Sequence, residues 1–150
     1  MDIAEFDAEA ARLILPRFNE DAALRLGQIL IDLAKGLPVV INIRNAQRTF
    51  FHAALPGAQA NNDNWARRKS NTALMLGRAS MAVGLKNAAR GTTLARDGLA
   101  EADYADHGGA VPIVVAGTGM VAVATVSGLP QEDDHRLVIR GIAALLAELG

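Results

Sequence analysis

Cysteine is absent from the 150 residues. That absence excludes disulfides, thiolate zinc sites, cysteine-held iron–sulfur clusters, thiol nucleophiles and thioether-linked haem. It fits a reducing cytoplasm, where the chain is expected to reside. Aromatic residues are scarce at 4%, with one tryptophan and one tyrosine. The core must therefore be built from Ala, Val, Ile and Leu, which lets helices pack closely. A basic excess is also missing: 15 Lys and Arg stand against 16 Asp and Glu, for a net charge of −1. So balanced a chain has no surplus to neutralise a phosphate backbone, which argues against nucleic acid as a partner. No run reaches the ~18–20 apolar residues of a membrane span. The nearest, from Gly109 to Gly128, is cut by Pro112, Gly117 and Gly119. The start, "MDIAEFDAEAARLIL", is acidic and does not read as a secretory signal.

What is present describes one globular domain over residues 1–150, with 51% hydrophobic and 21% charged residues. A chain of this length buries ~70% of its unfolded surface. Asp2 to Arg12 reads as a short acidic helix. Asn19 is an N-cap for the next, whose first turn carries Glu20 and Asp21. Gly36 and Pro38 end it. "VVINIR" alternates, with Val39, Ile41 and Ile43 on one side and Val40, Asn42 and Arg44 on the other. "RTFFHAAL" follows closely enough to make a hairpin. A long helix is expected from about Asn62 to Met81, then a break and restart before a stop at Gly91. "RDGLAEADYADHGG" reads mostly as loop. "AVPIVVA" and "MVAVATVSG" form a second hairpin about "GTG", and Gln131 to Leu149 is helical. Two hairpins separated by helices imply an antiparallel sheet with helical cover, an α+β domain.

The stretch "NNDNWARRKSNTAL", Asn61 to Leu74, sets the lone tryptophan beside the densest run of cations. On a helix Trp65 shares a face with Arg68, Lys69, Thr72 and Leu76. Arg67, Asn71 and Arg78 fall on another, solvated face. Two readings are open. Trp65, Arg68 and Lys69 could line a site for an anionic or aromatic ligand. Equally, Trp65 could anchor the helix with the cationic stems lying over it. In the first reading Arg44 joins the pocket from the first hairpin, because a strand-end cation is costly to bury without a polar partner. Asp63, with Asn61 and Asn62, is then expected to cap the helix.

Other candidates carry less chemistry. In "SGLPQEDDH" three acids oppose the helix dipole, so an added phosphate would be repelled. His135 falls on the apolar stripe of Ile139, Ile142 and Leu146, where packing with a hydrogen bond is the ordinary outcome. His52, His107 and His135 lack the i,i+4 pairing of a helical metal site, and no metal is expected. Ser127 lacks the first glycine of a nucleophile elbow. No phosphate-loop pattern exists.

The stretch "GGAVPIVVAGTGMVAVATVSGLPQEDDH" resembles the GlcG/HbpS-like, or haem-degrading domain, family. The Trp-Ala-Arg-Arg-Lys segment resembles an uncharacterised branch with an "ND-x-W-x-x-RK" motif after its first hairpin. The similarity runs from about Asn19 to the C-terminus. The strand before Val-Ser-Gly departs from the family's usual Gly-Ala-Ile-Gly, carrying Val123, Ala124 and Thr125. The resemblance implies a profilin-like α-β-α sandwich with a central antiparallel sheet of four to five strands, and a homo-oligomer. For function the expectation is a self-assembling module that binds or senses a small molecule, and the reading of the residues makes that molecule anionic and places it at Arg44, Trp65, Arg68 and Lys69. The alternatives are an enzyme acting on haem or a small anionic metabolite, and an oligomeric protein-interaction scaffold. The cofactor is open. Haem, if bound, would take His52, His107, His135 or Tyr104 as axial ligand, without a ligand motif to mark which.

Overall fold

The computed structural model describes residues Met1–Gly150. Helices α1 (Ile3–Ala11) and α2 (Glu20–Leu33) precede strands β1 (Val40–Arg44) and β2 (Thr49–Ala54). Helices α3 (Ala60–Leu76) and α4 (Ser80–Arg90) and a single 3-10 turn (Leu94–Asp97) come next. Strands β3 (Ala110–Val115) and β4 (Gly119–Ser127) and helix α5 (Gln131–Leu149) complete the chain. The strands form one antiparallel sheet in the order β2-β1-β4-β3. The α+β sandwich expected from the sequence is what forms, with four strands and helices on both faces.

Local chemistry explains most boundaries. Asn19 caps α2, its Oδ1 accepting the Ala22 N–H at 2.9 Å, a contact worth ~1 kcal/mol. Helix α2 ends before Gly36, with Ala34 as its cap. The single helix expected from Asn62 to Met81 is two. Gly77 adopts φ +68° and its N–H closes on Ala73 O, so α3 stops there and α4 begins at Ser80. The break expected between Met81 and Gly91 does not occur, and α4 runs on to its cap at Gly91. Helix α3 also begins earlier than expected, at Ala60. Asn62 Oδ1 accepts the Gln59 N–H at 2.8 Å, so Asn62 works at this terminus while Asp63 points elsewhere.

The two faces of the sheet differ in kind. Ile41, Ile43, Ile113, Ala122, Ala124 and Val126 pack against α2 and α5 in an aliphatic core with Leu26, Leu30, Val138 and Leu145. Gly27 lets β2 come close: a Cβ there would lie 2.4 Å from the Phe51 ring. On the other face, under α3, the residues in register across β3, β4, β1 and β2 are Ala110, Thr125, Asn42 and His52. That face is mixed, with Thr125, Ser127, Asn42, Arg44 and His52 among Val40, Ala110 and Val123, and it positions the candidate site.

Candidate functional site

Lys69 points from α3 into the mixed face and is 3% exposed. Its ammonium donates to Gly108 O at 2.9 Å, Val126 O at 3.3 Å and Asp134 Oδ2 at 3.0 Å. Asp134 in turn accepts the N–H groups of Gly128 at 3.3 Å and Leu129 at 3.0 Å. Burial pulls the Lys69 ammonium below the usual lysine range, and Asp134 opposes that shift. Burial likewise pushes the Asp134 carboxyl up, against Lys69 and the two backbone N–H groups. With three acceptors around three N–H bonds, Lys69 has no donor left for a ligand. Gly109 permits this packing, since its φ is +141° and a Cβ would lie 2.8 Å from Lys69 Nζ. The Gly-Gly and Val-Ser-Gly segments are therefore the wall around one buried cation.

The other cations of α3 serve the irregular segment between the 3-10 turn and β3. Such a segment has carbonyls without ladder partners, and they must be satisfied from elsewhere. Arg67 donates to Ala102 O at 2.8 Å and pairs with Asp103 at 3.0 Å. Arg68 Nε donates to Glu101 O at 2.9 Å, and Asn71 donates to Asp103 O at 2.8 Å. Thr72 Oγ1 accepts the Ala105 N–H at 3.0 Å. Arg67 and Asn71, expected on a merely solvated face, are clamps.

Trp65 sits half-buried beneath this segment. The Arg68 guanidinium carbon lies 4.5 Å above its ring centroid, and the His107 ring meets it edge-on at 5.1 Å. Arg68 is in no ion pair. A cleft of about 270 Å³ opens here, lined by Trp65, Arg68, Leu94, Leu99, Tyr104 and His107. Glu101 and Asp106 also border it. A second cleft of about 220 Å³ shares Trp65 and His107 with the first and has Lys69, Ser127 and Asp134 in its wall. The structure thus separates the four residues expected to share a pocket. Trp65 and Arg68 wall one cleft, and Lys69 lies in the wall of the next with its charge already matched. Arg44 lines neither. It donates to Ser70 Oγ at 2.9 Å and to Asn71 Oδ1, the polar partners its burial required. Burial, and then neighbouring Arg67, lower its pKa.

The other histidines are engaged. His52 meets Asn42 at 3.1 Å and Asp63 at 2.8 Å, so Asp63 holds the hairpin to α3 rather than capping the helix. His135 is packed and hydrogen-bonded as expected, with Glu9 at 2.8 Å and the Phe6 ring edge-on at 5.1 Å. Among the acids starting α5, Glu132 and Asp133 are exposed while Asp134 is drawn into the buried pair. Sequence reasoning missed Asp134 and His107 as members of the site. The one signal for Asp134 was a third acid on the stripe turned toward the sheet.

These features define an α-β-α sandwich whose sheet has one aliphatic face and one mixed face that holds a buried lysine. The chain belongs to the family of HbpS-like haem-degrading proteins, whose model matches residues 18–143. It is 43% identical over 149 residues to the UPF0303 protein SCO2848 of Streptomyces coelicolor, covering 97% of this chain and 94% of that one. Among solved structures it is similar to the Ybr137w protein, with TM-score 0.89 and 29% identity over 99% of this chain and 89% of that one. It shares its fold with the protein of a PduOC–haem complex, with TM-score 0.72 and 21% identity over 85% of this chain and 94% of that one.

The residues present do not fit haem enclosed within one subunit. The clefts bordered by His107 measure about 270 and 220 Å³, and the one bordered by His135 about 190 Å³. All lie below the ~300 Å³ at which pockets begin to bury a drug-sized molecule. His135 Nδ1 is buried and its Nε2 faces Glu9. His52 has both ring nitrogens engaged.

Proposed function

We propose that this chain is a self-assembling module that binds or senses a small organic monoanion in the cleft of Trp65, Arg68, Tyr104 and His107. The observation that carries the reading is Arg68. Its guanidinium is fixed by the Trp65 ring and the Glu101 carbonyl, yet it has no carboxylate partner. A cation so placed, with part of its donor fork unspent, suits a carboxylate. Leu94, Ala95, Leu99 and Ala105 offer an apolar body its place. The bordering carboxylates Glu101 and Asp106 disfavour a ligand of higher charge. Trp65 contributes a wall and a packing anchor at once, since Arg68 covers one part of its ring. Lys69 and Arg44 support the site from beneath by fixing α3 on the sheet.

Ligand-detecting mass spectrometry on protein purified from its own host tests the proposal. The expected result is a bound monoanion with an apolar portion. Its affinity should fall at least about tenfold in Arg68→Gln, the worth of one hydrogen bond to a charged group. Stability in that variant should change by under ~1 kcal/mol, whereas Trp65→Ala should lose both binding and stability. Protein that carries no ligand, and gains no thermal stability from aliphatic or aromatic carboxylates, would reject the reading.

A further inference from the structure

The 3-10 turn has a second side. Arg78, Lys86, Arg90 and Arg96 border a cleft of about 340 Å³ there, with Asp97 as the one carboxylate in its lining. Four cations against one acid is a local excess of three on a chain of net charge −1. Arg78 reaches Asp7 of α1 at 3.6 Å, while Lys86, Arg90, Arg96 and Asp97 enter no ion pair.

Ordinary helix electrostatics explains only part of this. Arg78 and Arg90 lie at the C-terminal ends of α3 and α4, where the dipole favours a cation. Each end contributes about half a negative charge. Together with Asp7 beside Arg78, two such ends leave roughly one excess positive charge uncompensated. Lys86, one turn before Arg90 on the same face of α4, and Arg96, from the 3-10 turn, need another explanation. Like charges around a concave wall repel one another and focus a positive potential into the cleft.

We propose that this cleft binds a diphosphate group. The lining has no aromatic ring on which a base could stack, and its apolar side chains are only Leu76 and Val83. Recognition therefore rests on charge and on arginine forks, which match phosphate oxygens two at a time. A monocarboxylate would leave cations unmatched. A diphosphate offers oxygens to Lys86, Arg90 and Arg96 together, and the Thr92 hydroxyl in the same wall offers one neutral donor. The group could be free pyrophosphate or the tail of a nucleotide, and the chemistry is shared.

Calorimetric titration of the intact protein at low salt with pyrophosphate, ADP and adenosine distinguishes these. Pyrophosphate should bind, with affinity falling as salt rises, and at least tenfold weaker in Arg90→Gln and in Arg96→Gln. Both positions are exposed, so the variants should fold. Arg136→Gln, an exposed cation on α5 outside the cleft, should bind as the wild type does. ADP within tenfold of pyrophosphate supports recognition of the diphosphate alone. ADP more than tenfold tighter supports it with a nucleotide as the source. No heat with millimolar pyrophosphate, affinity unchanged in both variants, or adenosine binding as well as ADP would each overturn the proposal.

Discussion

Lys69 and Asp134, 65 residues apart, meet at 3.0 Å with side chains only 4% and 2% exposed. Removing one partner of such a pair leaves an uncompensated charge in the interior, at about 3–5 kcal/mol. Lys69→Met should destabilise the fold by that amount in chemical denaturation. Replacing both, as Lys69→Met with Asp134→Leu, should recover most of the loss. The pH dependence follows from burial, which raises the Asp134 carboxyl above its unfolded value. A group raised in the folded state contributes stability that is complete below the unfolded pKa and lost as pH rises through the folded one. Without Lys69 the carboxyl should rise further. The deficit of Lys69→Met should therefore be largest near neutral pH and shrink as pH falls. A deficit that grows on acidification would contradict this account.

Gly109 tests the same seam from the backbone. Gly109→Ala places a Cβ 2.3 Å from Val126 O at φ +141°. Strain of this kind costs about 1–3 kcal/mol before any displacement of Lys69 is counted. Gly117→Ala is the comparison, since its φ is +75° but nothing lies within 4 Å of a Cβ there. The denaturation midpoint should fall clearly further for Gly109→Ala, and equal midpoints would show that the Lys69 wall tolerates a side chain.

Haem titrated into the protein should give a weak Soret band without a defined stoichiometry. His107, with its side chain 53% exposed, is the histidine best able to offer a ring nitrogen. A one-to-one Soret band abolished by His107→Ala, or by His52→Ala, would show that the fit argument fails.

The subunit mass is 15.8 kDa. Light scattering at micromolar concentration should report at least twice that value. A mass near one subunit would remove self-assembly from the functional reading.

Several elements were legible because local chemistry decides them. Asn19 and the apolar period mark α2, alternation marks both hairpins, and Pro130 with its acids marks α5. The break at Gly77 was hidden inside an otherwise helical pattern, because a glycine there costs only about 1 kcal/mol unless the chain turns. The assignment of Trp65 and Arg68 to one side of α3 followed from helical spacing. The fates of Lys69, Asp63 and Asp134 did not, because their partners come from distant segments that periodicity cannot connect. Arg67 is solvent-exposed as expected, but the bonds that it and Asn71 make to residues 102 and 103 were not foreseen, because a segment without regular structure announces no demand for donors.

The 3-10 turn has a consequence of its own. Thr92, Arg96 and Asp97 face the basic cleft, while Thr93, Leu94 and Ala95 line the cleft of Trp65 and Arg68. Six consecutive positions are thus a party wall between two chambers. Where a ligand on one side shifts this wall, linkage makes the effect on the other side reciprocal. Occupancy of either cleft should then change affinity at the other by a common factor, which gives one short turn the means to let two chemical signals report on each other.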